Sequence, residues 1–563
     1  MGSMGISEAL TPWQEIVAEK QSAVKKLVPS EWILPDALWQ DLTLPLEANP
    51  NRIIEKDIPR RSGLMSTREL QITEAYTTAQ LLSALAQGTF SSLEVTTAFC
   101  KRAAIAQQLT SCLTEVFYDS ALKRAKELDD YLASHGRPSG PLHGLPISLK
   151  DSFKLKGIDS SVGFVSLVNK PAEQNSVLVD ILLELGAVLY VKTNIPQTMM
   201  TADSHNNVWG RTLNPHNTTL TAGGSTGGEG ALIAFRGSPL GIGTDIAGSI
   251  RIPSLCCGIY GFKPSSARIP FGNQQAPVPD EFSLIHCSAG PMANSFEALQ
   301  LLTEAVISAR PARKDSTCLD VPWQTLAPLS SSERLNIGVL TEDTSLAFYP
   351  PVKRVLNNTC TLLAEKGHNL VPIGPERSHV ASLAELSMAA FTLDIKGMFA
   401  FIASSGEPVV PSVAACAAPS QGEALKSFWA GFEQMDMYHK IASLEAQIHR
   451  LKEEWRKLWN EFNLDAVICP GAQHTAVKHD TYGFPPFTVF LNVLDYPACI
   501  IPFGKASKDL DPEAKDFGDA GSYNPEETDQ APTAIQVFTS NMRDEVCLQV
   551  GKLIDEILNQ SQG

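Results

Sequence analysis

Apolar residues repeat with the period of an α-helix in the first part of the chain, and polar residues fill the positions between them. Two stretches show this spacing and then reach a helix-ending residue: Leu81, Leu82 and Leu85 before Gly88, and Leu122, Ala125, Leu128 and Leu132 before Gly136 and Pro138. Between them, Ser91 and Glu94 have the spacing of a capping box, which predicts that a further helix begins there. This part of the chain is therefore predicted to be mainly helical.

Further along the chain, short apolar runs alternate with amphipathic segments. The runs predict strands at 145–151, 187–192, 336–340, 369–371 and 466–469. The other segments predict helices at 177–185, before Gly367, and through Trp455 and Trp459. This alternation predicts an α/β fold, in which helices cover both faces of a central, mixed and twisted β-sheet.

The amino-terminal residues are polar and are interrupted by prolines. Residues 1–70 contain one amphipathic stretch, from Trp13 to Leu27, and are interpreted as a helical arm over the main body. No shift in composition divides the remainder, so residues 71–563 are predicted to form a single domain with a functional core at about 140–300. Residues 505–530 are acidic and rich in Gly, Asp and Pro, which indicates a surface loop.

The charge balance argues against two classes of partner. The 563 residues include 45 Lys and Arg against 61 Asp and Glu, a net charge of −16, and such a surface repels nucleic acid and anionic lipid. The most apolar run, Val177 to Val191, contains Asp180 and Glu184 and is too short to span a bilayer. Polar residues also interrupt the amino terminus, where a signal peptide would be. We therefore expect a cytoplasmic protein without a nucleic-acid or membrane partner.

The cysteines and histidines do not have the spacing of a metal site. None of the eleven cysteines forms a C-x-x-C pair, and the eleven histidines are scattered without an H-E-x-x-H motif. Buried thiols in a reducing compartment explain the adjacent Cys256 and Cys257 better than a disulfide framework does. We expect neither a metal nor a disulfide.

Two glycine-rich segments, TAGGSTGGEG at 221–230 and GTDIAGSIRIP at 243–253, contain the candidate chemistry. A phosphate-binding P-loop needs a lysine that neither segment supplies, and the dinucleotide-binding pattern that begins at Gly241 fails at Ile246. Residues 223–227 match the G-x-S-x-G elbow of α/β-hydrolases, but a polar, turn-like segment precedes them where that motif requires a strand. A purely structural role remains open for either segment taken alone.

Taken together, the two segments support a different chemistry. Ser225 and Ser249 lie on separate glycine-rich loops, and Lys150 lies upstream of both. A serine nucleophile needs a base, and a lysine can serve if burial lowers its pKa enough to leave it neutral. A second serine between them can pass the proton, because a hydroxyl donates and accepts at once. Glycine loops also bring backbone N–H groups close to a substrate, where they can bind an oxyanion.

Three ordered blocks carry a resemblance to a known family: HGLPISLKDSF, TAGGSTGGEGALIA and GTDIAGSIRIPSLCCGIYGFKPS. They resemble the hallmark blocks of the amidase signature family, and the separations of 75 and 24 positions between Lys150, Ser225 and Ser249 agree with that family's pattern. The arm sequence PWQEIVAEK and the segment AFCKRAAIAQQLT resemble the fungal acetamidase branch. The likeness extends over nearly the whole chain.

The resemblance implies the amidase signature fold and a role for each residue of a Ser–cis-Ser–Lys triad. Ser249 would be the nucleophile, Ser225 the bridging serine after a cis Gly224–Ser225 peptide, and Lys150 the base. The backbone N–H groups of residues 246–249, which are Ile246, Ala247, Gly248 and Ser249, would hold the oxyanion. Met199 matches a family position that lines the substrate channel. No metal or cofactor is implied, and relatives are often homodimers.

The implied activity is hydrolysis of a small or medium carboxamide through an acyl-serine intermediate. Two alternatives stay open. In the first, an amine captures the acyl group in place of water, as a biosynthetic acyltransferase would require. In the second, the chain is a non-catalytic family member, which the intact Lys150, Ser225 and Ser249 argue against.

The chain departs from the family pattern in ways that raise specific questions. Ala247 stands where glycine is usual, which would cost roughly 1–2 kcal/mol if the backbone there is left-handed and would only narrow the pocket otherwise. Lys192 and Lys263 are rival bases, of which the first ends a predicted strand and the second lies in a structural turn. Asp245 and Arg251 are expected to fix the shape of the nucleophile loop through hydrogen bonds or an ion pair.

Overall fold

The computed structural model describes residues 10–276, 284–329, 333–393, 395–416, 428, 431–517 and 521–559. The first nine residues of the predicted arm and residues 518–520 of the predicted surface loop lie outside these ranges. Within the described ranges, no single helix is long and apolar enough to cross a membrane. One pair bent by 52°, Val380–Thr392 with Gly397–Ser405, meets that test only when its two helices are combined.

Fifteen strands are present in the described chain, and eleven of them form one central sheet. In chain order from β1 to β15, the strands are Leu113–Val116, Pro146–Lys150, Val188–Thr193, His205–Asn206, Gly210–Arg211, Leu240–Asp245, Tyr260–Lys263, Ser288–Ala293, Asn336–Leu340, Asn369–Ile373, Ala466–Cys469, Ala498–Lys505, Lys515–Asp516, Ser522–Tyr523 and Pro532–Phe538. The order across the central sheet is β1-β3-β2-β6-β8-β7-β12-β15-β11-β9-β10.

The central sheet is mixed, as predicted. β2 is parallel to both β3 and β6, β9 is parallel to β10 and β11, and the other neighbours in the sheet are antiparallel. Every residue of β2, β3, β6 and β8 is buried. Because successive residues of a strand face opposite sides, complete burial means that other elements cover both faces there.

The helices of the described ranges, numbered α1 to α20 in chain order, include several of only one turn. They are Pro12–Lys25, Asp36–Trp39, Ile58–Arg61, Thr67–Glu74, Thr78–Ala86, Ser92–Thr110, Tyr118–His135, Val177–Glu184, Gly227–Ala234, Arg251–Cys257, Phe296–Ser308, Pro350–Glu365, Pro375–Ser378, Val380–Thr392, Ile395–Ser405, Pro411–Cys416, Met437–Glu461, Pro486–Leu494, Pro525–Thr528 and Asp544–Asn559.

Most predicted elements are confirmed to within a residue or two. Ser91 caps α6 by accepting a hydrogen bond from Glu94 N–H, and the Glu94 side chain accepts one from Ser91 N–H. The predicted strand at 336–340 coincides with β9. In its described part, the segment 505–530 contains secondary structure that was not predicted: the β13 and β14 strands, which pair with each other, and the one-turn helix α19.

The predicted amphipathic stretch of the arm is α1, which packs Val17 into an apolar cluster with Val165, Val168, Val208 and Trp209. Its Lys20 enters an acidic site, where Nζ lies 2.7 Å from Glu115 Oε1 and 2.8 Å from Asp159 Oδ2. Burial raises the pKa of Glu115 to about 7 although Lys20 opposes the shift. Lys20 thus adds to this site a cation that forms ion pairs with both carboxylates.

We predict that Lys20→Ala lowers the free energy of unfolding by about 3 kcal/mol near neutral pH, because it leaves Glu115 and Asp159 buried without their cation. The folded-state pKa of Glu115 already lies above its unfolded value, and without Lys20 it rises further. The folded variant therefore holds a proton that the unfolded chain releases, so stability falls as pH rises. Urea unfolding should show a larger deficit at pH 8 than at pH 6.

Lys25→Ala, on the exposed side of the same helix, is the matched control and should leave stability nearly unchanged at both pH values. A deficit in Lys20→Ala that does not grow between pH 6 and pH 8 would contradict the role given to Glu115.

Candidate active site

The carboxyl ends of two adjacent parallel strands begin the site. β2 ends at Lys150 and β6 at Asp245, and the strands pair through Ser148 with Gly241 and Leu149 with Ile242. Neighbouring parallel strands end at the same edge of a sheet, so Lys150 is brought to the loop that follows Asp245. That loop leads into α10, while the loop that carries Ser225 leads into α9.

Lys150 is buried at this edge, with 1% of its surface exposed. Its Nζ lies 2.7 Å from Ser225 Oγ and 2.7 Å from Thr244 Oγ1. Burial lowers the pKa of Lys150 to about 8, although the nearby Cys287 and Asp245 oppose the shift. A substantial fraction of this lysine is therefore neutral at mildly alkaline pH.

The two rival lysines are engaged in other contacts. Lys192 Nζ lies 3.2 Å from Asp151 Oδ1 and donates to Ser160 Oγ at 2.6 Å. Lys263 Nζ donates to the Pro264 carbonyl at 3.1 Å. Of the three lysines, Lys150 is the one in contact with a serine of the two glycine-rich loops.

The two candidate serines lie on loops that touch each other. The Gly224–Ser225 peptide is cis, as predicted from the resemblance. Thr226 N–H donates to the Ser249 carbonyl at 3.2 Å, which joins the two loops. Ser225 is 2% exposed and Ser249 7% exposed. Among the described residues, no hydrogen bond joins the hydroxyls of Ser225 and Ser249 to each other.

Asp245 organises the loop that carries Ser249. Its carboxylate accepts hydrogen bonds from Gly248 N–H at 2.9 Å and Ile250 N–H at 3.1 Å. It also accepts from the Arg251 guanidinium, through Nε at 3.0 Å and Nη2 at 2.9 Å. Burial alone would raise the pKa of Asp245, but Arg251 overcomes this and holds it well below its usual range. The expected ion pair between Asp245 and Arg251 is confirmed.

A helix far along the chain braces the same loop. Thr488 Oγ1, on α18, donates to the Ala247 carbonyl at 2.7 Å, and Asn492 Nδ2 donates to Asp245 Oδ1 at 2.9 Å. Asn492 Oδ1 in turn accepts from Arg251 Nη2 at 2.7 Å. The sequence analysis missed both α18 residues. Their four-residue spacing within the apolar segment PFTVFLNVL was a signal that one polar face is used.

The structure answers the question raised by Ala247. The left-handed φ of this loop, +124°, belongs to Gly248, and Ala247 is not among the described residues with positive φ. A Cβ at Gly248 would lie 2.2 Å from Thr488 Oγ1, so glycine is required there. At Ala247 the extra methyl brings no left-handed strain and only occupies volume.

The candidate oxyanion donors fall into two groups. The N–H of Gly248 is engaged by Asp245. The N–H groups of Ile246, Ala247 and Ser249 donate to no described residue. Three of the four candidate donors are therefore available to a ligand in this geometry.

Met199, the predicted channel residue, lies in a segment with a strained backbone. It has a φ of +59° and follows Thr198, whose φ of +78° is unusual for a β-branched residue. Met199 and Met200 are partly buried against an apolar cluster made by Val162, Phe164, Ile195, Met398 and Ile402.

Known proteins are similar to this chain over nearly its full length. The family described as Amidase matches residues 94–548. An amidase from Gibberella moniliformis is 38% identical over 548 residues, 97% of this chain and 99% of that protein. An acetamidase from Emericella nidulans is 37% identical over 568 residues, with the same coverage of both chains.

Solved structures agree with the fold. A fatty acid amide hydrolase superposes with a TM-score of 0.86 at 27% identity, over 97% of this chain and 95% of that one. A bacterial aryl acylamidase superposes with a TM-score of 0.68 at 18% identity, over 86% and 97% of the two chains, which shows a shared fold.

We predict that Asp245→Asn lowers the free energy of unfolding by about 3 kcal/mol at pH 7, because Arg251 loses its buried partner. The native pKa of Asp245 lies below the unfolded value, so this stabilisation is present at neutral pH and is lost as pH falls through the acidic range. Urea unfolding should therefore show a smaller deficit at pH 4 than at pH 7. The control is Asp320→Asn, which breaks an exposed pair with Arg310 and should change stability little. Equal effects of the two substitutions would contradict the importance of burial.

Proposed function

The chain belongs to the amidase signature family, and from this premise we propose that it hydrolyses a carboxamide through an acyl-Ser249 intermediate. Ser225 and Lys150 complete the proposed proton relay. The observation that carries the proposal is the buried 2.7 Å contact between Lys150 Nζ and Ser225 Oγ. A lysine whose pKa is lowered to about 8 by burial can act as a base near neutral pH.

The first half of the proposed reaction acylates the enzyme. Neutral Lys150 takes the proton of the Ser225 hydroxyl, Ser225 takes that of Ser249, and Ser249 Oγ forms a bond to the amide carbon. The carbonyl oxygen becomes an oxyanion, for which the N–H groups of Ile246, Ala247 and Ser249 are the proposed donors. One such donor typically contributes about 3 kcal/mol to the transition state.

The second half releases the products. The C–N bond breaks as the relay runs in reverse and returns a proton to the leaving nitrogen, which departs as ammonia or an amine. Water then attacks the acyl carbon while the relay accepts one of its protons, and the carboxylic acid leaves with Ser249 restored. An amine acceptor would share every step before the entry of water.

The substrate class is proposed from the relatives. An acetamidase matches 97% of this chain at 37% identity, which supports a small or medium carboxamide. Ala247 supports the same class, because it adds a methyl group to the loop that carries Ser249, at a position where the family usually has glycine.

We expect Ser249→Ala to abolish covalent labelling by a fluorophosphonate and to lower amide hydrolysis by several orders of magnitude, because the atom that carries the acyl group is removed. Intact-protein mass spectrometry measures the label, and ammonia release measures hydrolysis. Ser254→Ala, one turn into α10, removes a hydroxyl that donates to the Ile250 carbonyl and should leave both readings near wild type. Stoichiometric labelling of Ser249→Ala would assign the nucleophile elsewhere.

We expect kcat/KM to rise as pH increases through about 8, because only neutral Lys150 can accept the relay proton. Lys150→Ala should lose at least about 10²-fold in rate at pH 7 and regain part of it at high pH, where hydroxide replaces the base. Lys156→Ala, an exposed lysine on the following loop, should keep the wild-type profile. A flat wild-type profile between pH 6 and pH 9 would exclude Lys150 as the base.

A further inference from the structure

The segment that carries Met199 is strained at its centre and fixed at its downstream end. Left-handed φ values at Thr198 and Met199 persist only where the surroundings hold them. Downstream, the Thr201 carbonyl packs so closely against Gly224 that a Cβ there would lie 2.4 Å from it. Thr201 Oγ1 also donates to the Asp203 carbonyl at 3.1 Å. What holds the upstream end must lie before Thr198.

The upstream end is held by Gln197, a completely buried residue. Its Oε1 accepts from Val410 N–H at 3.0 Å. Its Nε2 donates to Glu407 Oε2 at 2.9 Å and to the Pro408 carbonyl at 3.1 Å. The whole amide of Gln197 is therefore used to bind the chain that follows α15, about 210 residues away in sequence.

Glu407 is the centre of this connection. Its Oε1 accepts from Val165 N–H at 2.7 Å and from Ser405 Oγ at 3.1 Å. Its Oε2 accepts from Gln197 and from Asn207 Nδ2, the latter at 3.0 Å. One carboxylate, 5% exposed, thus connects Val165, Gln197 and the end of α15. We call Glu407 and Gln197 together the clamp. Hydrogen bonds to a charged group are roughly twice as strong as neutral ones.

The described side chains of α15 meet the same region through apolar contacts. Phe401 stacks on Phe164 with ring centroids 5.4 Å apart. The cluster around them contains Val162, Ile195, Met199, Met200, Met398 and Ile402. Apolar contacts have little directional preference, so they allow small shifts of a helix. The hydrogen bonds of Glu407 and Gln197 are directional, so they restrict the position of α15 relative to the segment that carries Met199.

We propose that Glu407 is a positioning residue that sets the wall of the substrate site at Met199 and Met200. This inference rests on the proposed function, because it takes Met199 to line the site. Glu407 does not touch the substrate: it acts through Gln197, which holds the strained Thr198–Met199 backbone in place. Without it, Gln197 keeps its backbone bond to the His205 carbonyl at 2.8 Å but loses the side-chain bond that ties it to Val165 and Asn207 through Glu407, while the downstream end stays packed against Gly224.

Loss of Glu407 is expected to change how well substrates fit and to leave the proton relay of Lys150 and Ser225 intact. Ser225 and Lys150 make no contact with the clamp, so acylation of Ser249 by a reagent too small to reach the wall should continue. Binding of a longer acyl chain depends on where Met199 lies. The effect should therefore appear in KM, and it should grow with the length of the substrate.

The test uses the full-length protein and straight-chain amides from acetamide to hexanamide. Glu407→Ala is expected to raise KM for the longest hydrolysed amide about tenfold, because bonds to a charged group are lost, with kcat within about twofold. Glu407→Gln keeps one acceptor oxygen and should restore part of the affinity. Titration with a small fluorophosphonate counts active molecules, so that unfolded protein does not enter the constants.

A double-mutant cycle separates the clamp from a general loss of stability. Gln197→Ala should raise KM as Glu407→Ala does, and the double variant should be no worse than either, since both remove one connection. Glu461→Ala deletes an exposed carboxylate paired with Arg377 and serves as the matched control, with unchanged KM. If Glu407→Ala does not fold, Gln197→Ala carries the same test from the other side of the clamp.

Two results would overturn the proposal. One is an unchanged KM in a Glu407→Ala or Gln197→Ala protein that the fluorophosphonate labels completely. The other is a KM that rises equally for acetamide and hexanamide. By contrast, a wild-type protein that the fluorophosphonate does not label at Ser249 would refute the proposed function itself.

Discussion

The burial of the Lys150 ammonium without a carboxylate partner is the constraint on which the rest of the site depends. Asp151 follows Lys150 in the sequence and Asp245 lies near it in space. Each forms an ion pair with another cation, Asp151 with Lys192 and Asp245 with Arg251. Among the described residues, Lys150 therefore forms no ion pair, and its Nζ meets only the hydroxyls of Ser225 and Thr244. Had either carboxylate been left to Lys150, its pKa would have stayed high and the lysine could not act as a base. The two buried pairs thus control the charge of a third residue.

The peptide between Ala247 and Gly248 is likewise fixed by a small number of buried contacts. A peptide unit is planar, so fixing its carbonyl and its N–H fixes the whole plane. Thr488 holds the carbonyl and Asp245 holds the N–H, which sets the direction of the neighbouring N–H groups that remain available. The close approach of Thr488 also explains why glycine is needed at 248, whereas a methyl is tolerated at 247.

The sequence was informative wherever a feature is local. Caps, glycine stops and apolar periods located α6, β2 and β9, because those signals depend on neighbours within a few residues. The motif blocks identified Lys150 and Ser225, whose contact the structure contains. The sequence did not indicate the roles of Thr488, Asn492 and Glu407, because their partners lie more than 200 positions away. Nothing in the local sequence around a polar residue predicts such a distant partner. Lys20 was hidden for the same reason: a lysine on an amphipathic helix is usually solvated.

The site therefore combines two kinds of construction. Lys150 ends β2 and Ser249 lies on the loop after β6, and that loop is fixed by a buried ion pair and hydrogen bonds, which are directional and tolerate little displacement. The proposed wall at Met199 and Met200 packs on α15 through apolar side chains, whose contacts can be satisfied by several arrangements. In our proposal, Glu407 and Gln197 supply the directional connection that gives such a wall one position. Under the two proposals, the residues that fix the chemistry are not the residues that fix substrate fit, so the two properties can change separately.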